Sequence, residues 1–148
     1  MNVIFRVDAS QRIGSGHVMR CLVLAKAIQN KDAEIIFLTR NHIGNLNQLI
    51  SSKGYEVRSL PLLVDGLQSK LSGYEQWLGV EQEVDAKQSI ALLDGSEPDL
   101  LIVDHYALDK CWESRLRPYV KTIFVTDDLA NRKHDCDWLL DQNYNLDS

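Results

Sequence analysis

The sequence predicts an α/β protein, a Rossmann-like parallel sheet sandwiched by helices, and three observations predict it. Short apolar runs alternate with segments of helical periodicity from one end of the chain to the other. Two of the runs, at 100–103 and 123–125, are apolar almost without interruption, as strands buried on both faces are. Strands separated by helices pair in parallel through right-handed crossovers, which builds an open sheet with helices on its faces. The 148 residues suffice for one domain, 1–148, around one hydrophobic core.

The elements follow in order. Val3, Ile4, Phe5 and Val7 form a first strand that ends at Asp8 and lies centrally in the sheet. Val18, Cys21, Leu22, Ala25 and Ile28 recur at the i, i+3, i+4, i+7 spacing of a helix. Glu34 to Thr39 is a second strand, and residues 45–53 a short helix stopped by Gly54. Tyr55 to Arg58 is a third strand, ending near Pro61. Residues 61–80 contain Gly66, Gly73 and Gly79 and show no clean period, so they read as a long functional loop. A helix over 82–93, a strand over 99–104, a helix over 108–116 and strands at 121–126 and 137–140 complete the chain.

Hydrophobic residues make up 45% and charged residues 25%, the balance of a globular protein rather than a disordered tail or a fibre. Sixteen basic against 21 acidic residues give a net charge of −5, which removes the usual electrostatic motive for nucleic-acid binding. The three cysteines, Cys21, Cys111 and Cys136, form no C-x-x-C pair and fit a reducing compartment. The N-terminal apolar run is too short for a signal peptide, and no stretch reaches the length of a membrane span. A cytoplasmic protein with no membrane or nucleic-acid partner is expected.

In such sheets ligands sit beyond the carboxyl ends of the strands, where strand order reverses. The loops that should hold chemistry therefore begin at Asp8, Thr39, Leu60, Asp104 and Asp127. The first runs Asp8-Ala-Ser10-Gln-Arg12-Ile-Gly14-Ser15-Gly16-His17 straight into a helix. Its glycines allow a tight turn and close approach to the backbone, and the helix start offers unpaired N–H groups to an anion. It is neither a dinucleotide fingerprint, since Met19 stands at the third glycine position, nor a P-loop. A plain tight turn has the same spacing.

His17, in the first turn, either caps that turn or acts as a base, held neutral by the positive helix end. Arg20, one turn on, either contacts an anion in the same cleft or is a solvated surface residue. Asp104, His105 and Tyr106 follow an apolar strand abruptly, the pattern of a site rather than of core packing. Asp104 as the cap of the next helix is the alternative. Asp127 and Asp128 end the next strand and either position a histidine or ligand hydroxyl or make a turn. Tyr74 and Trp77 either cover a ligand or anchor their loop. His134, Asp135, Cys136 and Asp137 are of metal-ligand type, but ligands from elsewhere would be needed, so no metal and no cofactor is expected.

Taken together, these motifs resemble one family. Phe5-Arg-Val-Asp8-Ala-Ser10 and Ile13-Gly-Ser-Gly-His17-Val-Met-Arg-Cys-Leu-Val-Leu-Ala25 are followed by Trp77-Leu-Gly-Val80, Asp85-Ala86, Ile102-Val-Asp-His-Tyr106, Asp127-Asp128 and His134-Asp-Cys-Asp137. In this order they are similar to the PseG-type UDP-sugar hydrolases of pseudaminic acid biosynthesis, with related spore-coat polysaccharide proteins sharing much of the pattern. The resemblance implies the N-terminal half of a glycosyltransferase-B fold, with the active site in a cleft between two Rossmann-type domains. It implies His17 as the base that activates water, and Gly14, Ser15 and Gly16 as the loop beside the nucleotide-sugar. Asp104 and Tyr106 would line the sugar site, with Asp8, Ser10, Arg20, His105 and Asp127 as further substrate-binding positions. The reaction implied is metal-independent attack of water on the anomeric carbon of a UDP-diacetamido-trideoxyhexose, releasing UDP with inversion, in surface-glycan biosynthesis.

The family carries a second domain that holds most of the uridine diphosphate contacts. This chain stops where the connection to it should begin, so its partners are expected to be the UDP-sugar and that absent C-terminal domain. Two other classes share parts of the pattern. One is half of a sugar-nucleotide glycosyltransferase, which typically has a longer Gly-rich stretch and an apolar membrane-facing patch, neither evident in this sequence. The other is a sugar-binding domain without catalysis.

Overall fold

The computed structural model describes residues 1–29, 32–62, 71–129 and 131–141. Six parallel strands are joined into one sheet: β1 (Asn2–Val7), β2 (Glu34–Arg40), β3 (Glu56–Leu60), β4 (Leu100–Asp104), β5 (Thr122–Thr126) and β6 (Trp138–Leu140). Their order is β3-β2-β1-β4-β5-β6, so β1 is central and the order reverses between β1 and β4. Register places Arg6 beside Leu38 on one side and Val103 on the other. This is the Rossmann-like arrangement expected from the alternation of elements.

Helix α1 (Gly16–Gln29) buries Val18, Cys21, Leu22 and Ala25, the spacing that predicted it. With α2 (Asn47–Ser52) it covers the sheet face made by Val3, Phe5, Val7, Phe37 and Ile102. The opposite face, with Ile4, Leu38, Leu101, Val103, Ile123 and Val125, packs against α4 (Gln82–Leu92) and α5 (Lys110–Leu116). Trp112 of α5 is fully buried there.

Three differences from the sequence reading stand out. The stretch 61–80 is not all loop, because Glu75–Leu78 forms a one-turn helix, α3, that buries Leu78; residues 63–70 lie outside the described residues. Helix α5 starts at Lys110 rather than Leu108, because the Asp109 carboxylate accepts from Cys111 N at 2.9 Å and fixes the start. Asp104 is therefore not the cap. The third concerns apolar surface, which periodicity did not reveal. Val23 on α1 is 73% exposed, and all three residues of the edge strand β6, Trp138, Leu139 and Leu140, are exposed. Val23, Leu24 and Leu140 line one groove with Arg20 and Asp104. Among the described residues, no helix is long and apolar enough to cross a membrane.

Candidate active site

The carboxyl ends of β1, β4 and β5 lie side by side at the reversal of strand order, and they bring Asp8, Asp104 and Asp127 to one edge of the sheet. A parallel sheet leaves a crevice at that point because the connecting helices depart to opposite faces. Asp8, Ile13, His17, Trp77, Asp104, His105 and Tyr106 line it, packed closely together.

The loop from β1 to α1 is closed by Ser10. Its hydroxyl accepts from Ile13 N at 2.9 Å and its carbonyl from Gly14 N at 2.8 Å. Gly14 has φ +81°, which a side chain rarely tolerates, and so the chain turns sharply into α1. Ser15 and Gly16 are exposed at the helix start, with Ser15 O accepting from Met19 N. Ser10 and Gly14 thus shape the loop, and the next residues carry its open face.

His17, Arg20, Asp104 and Tyr106 are brought together. His17 Nδ1 lies 2.6 Å from Asp104 Oδ1, and its ring meets Tyr106 edge-on, centroids 4.6 Å apart. Arg20, three residues along α1 and so on the same helix face, donates from Nε and Nη2 to the two oxygens of Asp104 and from Nη1 to Asp128 at 2.5 Å. Burial alone would raise the Asp104 carboxyl, but the hydrogen bonds from Arg20 and His17 hold it below the usual carboxylate range. Arg20 is engaged by two carboxylates, so it is neither a solvated surface arginine nor a spare cation. Tyr74 and Trp77 extend the aromatic wall, with ring centroids 5.5 and 5.8 Å from that of Tyr106.

Asp8 forms the floor and is buried in a second network. It receives the Arg6 fork at 2.7 and 3.1 Å, Arg40 N at 2.7 Å and His105 Nε2 at 2.9 Å. Burial opposes its charge, but Arg6, His105 and His42, whose Nε2 lies 3.4 Å from Oδ2, hold its pKa well below the ordinary value. His105 Nδ1 accepts from Ala107 N at 3.0 Å, so Nε2 carries the hydrogen given to Asp8. Burial pushes His105 down, consistent with a neutral ring whose two nitrogens are already used.

Asp127 faces inward. It accepts from Arg132 and His134, each at 2.7 Å, and is lowered to about 2, Arg132 and His134 outweighing the opposing effect of burial. The other nitrogen of His134 meets Glu113 at 2.7 Å; that bond, against burial and with Asp127, raises the imidazole pKa. Arg132 also donates to His105 O and Leu108 O, both at 2.8 Å, tying it to the loop that carries Tyr106. Among the described residues, no group of three or more His, Cys, Asp or Glu side chains converges as a metal site would.

Several residues of these networks escaped the sequence reading. Asp128, seen only as half of an acidic pair, is the partner of Arg20. Arg6, Arg40 and Asp85 form a wholly buried ion cluster under Asp8. Its signals were Arg6 inside an otherwise apolar strand and the Asp85-Ala86 pair among the motifs.

No family model matches the chain. Over 145 residues, 97% of its length, the chain is 32% identical to the UDP-2,4-diacetamido-2,4,6-trideoxy-β-L-altropyranose hydrolase of Campylobacter jejuni, and it spans 42% of that protein. The motifs and this comparison point the same way: what the chain is similar to is a UDP-sugar hydrolase.

Proposed function

We propose that this chain is the base-carrying, N-terminal half of a cytoplasmic enzyme that hydrolyses a UDP-diacetamido-trideoxyhexose in surface-glycan biosynthesis. The observation that carries the reading is His17, which lines the crevice at the reversal of strand order beside a carboxylate and an aromatic wall. The similarity to a UDP-sugar hydrolase over almost the whole chain supports it.

In this reading His17 takes a proton from water, and the water oxygen bonds to the anomeric carbon. The bond from that carbon to the phosphate oxygen breaks with inversion, and UDP leaves with the electron pair. Positive charge developing on the sugar is favoured by the Asp104 carboxylate, which the hydrogen bonds from Arg20 and His17 keep ionised. The diphosphate contacts belong to a C-terminal part; the chain spans 42% of its relative, which leaves room for one. Gly14, Ser15 and Gly16 lie beside the substrate, Tyr106 and Trp77 line the sugar, and Asp8 with His105 supports the floor.

The test is UDP release from the UDP-sugar by the full-length protein with water as the only acceptor. His17→Asn is expected to cut turnover by roughly 10²–10⁴-fold and to leave UDP binding nearly unchanged. UDP release only when an acceptor sugar or lipid is added would make the protein a glycosyltransferase, and sugar binding without turnover would make it a binding domain.

A further inference from the structure

We propose that Asp104 is the positioning residue for His17, holding the ring hydrogen on Nδ1 so that Nε2 meets the attacking water. The inference rests on the hydrolase reading for its chemistry, whereas the geometry behind it is that of the folded chain alone.

The carboxylate is fixed before it meets the imidazole. Its side chain is 1% exposed, and Arg20 grips both oxygens. Cys21 Sγ lies 3.7 Å from Oδ2. Arg20 is itself held by Asp128 across β5. These contacts set the plane of the carboxylate, and Oδ1 then lies 2.6 Å from His17 Nδ1. An ionised carboxylate only accepts hydrogen bonds, so a ring nitrogen at that distance must carry hydrogen. The other tautomer would face two lone pairs at 2.6 Å in a site almost closed to water. Tyr106 packs edge-on against the ring and supports it in this orientation.

The consequence for the reaction is direct. Water gives its proton to Nε2 as its oxygen bonds to carbon, the leaving UDP keeps the electron pair of the broken bond, and His17 becomes an imidazolium. Its Nδ1–H then faces a carboxylate, so the bond to Asp104 strengthens as charge develops. The same division of labour between an orienting carboxylate and a histidine base recurs on unrelated folds.

The direct experiment is the ¹⁵N spectrum of the His17 ring in the full chain, in mildly alkaline buffer and without substrate. Nδ1 should appear protonated and Nε2 unprotonated, the reverse of the preference of a free histidine side chain. A protonated Nε2 as the main species overturns the inference. Asp104→Asn should abolish the Nδ1–H preference and lower kcat by about 10²–10⁴-fold with little change in KM. Wild-type kcat in that variant overturns the inference as well. The ring spectrum is read on the unmodified chain, so it decides the matter even if the variant does not fold. A protonated Nδ1 in a protein that releases no UDP would instead overturn the hydrolase reading and leave the ring assignment standing.

Discussion

Arg6 lies near the carboxyl end of β1 with no exposed surface, an arginine where the pattern calls for an apolar side chain. It is tolerated because Asp8 and Asp85 take its guanidinium at 2.7 and 2.6 Å, and burial, which would lower its pKa, is outweighed by the two carboxylates, which raise it. Asp85 also accepts from Arg40 and from Trp112 Nε1, both at 2.8 Å. Removing one partner of such a cluster strands the others in the interior, so Asp85→Ala should cost about 3–5 kcal/mol, read as a lower denaturation midpoint. His134 leads to a pH prediction. Its imidazolium lies between Glu113 and Asp127, so its folded pKa is raised above the unfolded one. The stabilisation is complete below about pH 6.5, the unfolded histidine value, and is lost as pH rises through the folded pKa. Asp127, lowered to about 2, acts in the opposite sense and loses its contribution only as pH falls from the ordinary carboxylate range toward that value. Stability measured upward from about pH 6.5 should therefore decline, and His134→Gln should flatten the decline. A wild-type curve that rises there would contradict the pairing.

At the scale of elements, two short segments hold the site loops in place. Asp109 caps α5 just after the loop that carries Tyr106; Asp109→Ala should lose about 1 kcal/mol by the same denaturation measurement. Gly44 lies against the β1–α1 loop, where Gln11 N donates to Ile43 O at 3.2 Å. Its φ is +83°, and a Cβ there would stand 2.9 Å from Gln11 N. Gly44→Ala should destabilise by more than the roughly 1–2 kcal/mol of a left-handed backbone alone, because Gln11 and the turn at Ser10 must shift with it. Turnover should then fall together with stability. A loss of stability without any loss of turnover would show that this loop does not position His17.

At the scale of the whole molecule, the strand order gathers three acidic strand ends into one crevice, and the arginines there are already engaged by carboxylates: Arg6 by Asp8, Arg20 by Asp104 and Arg132 by Asp127. UDP alone should therefore bind this chain weakly, with a Kd of about 1 mM or higher in calorimetry. Tight binding would move nucleotide recognition into this part of the protein.

Much of this was legible in the sequence because it is local. Alternating apolar runs and the 3.6-residue spacing at Val18, Cys21, Leu22 and Ala25 determined the class of fold and the order of elements. The rule for parallel sheets then named the loops that hold His17, Asp104 and Tyr106. The tertiary structure alone decided which side chains meet. His17 and Asp104 are 87 residues apart, and Arg6 and Asp85 are 79 apart. It also turned Asp127 inward to Arg132 and His134 while its neighbour Asp128 reached Arg20. Periodicity gives the face on which a residue lies. Strand order, register and the packing of helices across the sheet set the ångström distances that make an ion pair or orient a base, and those arise only when the elements are assembled.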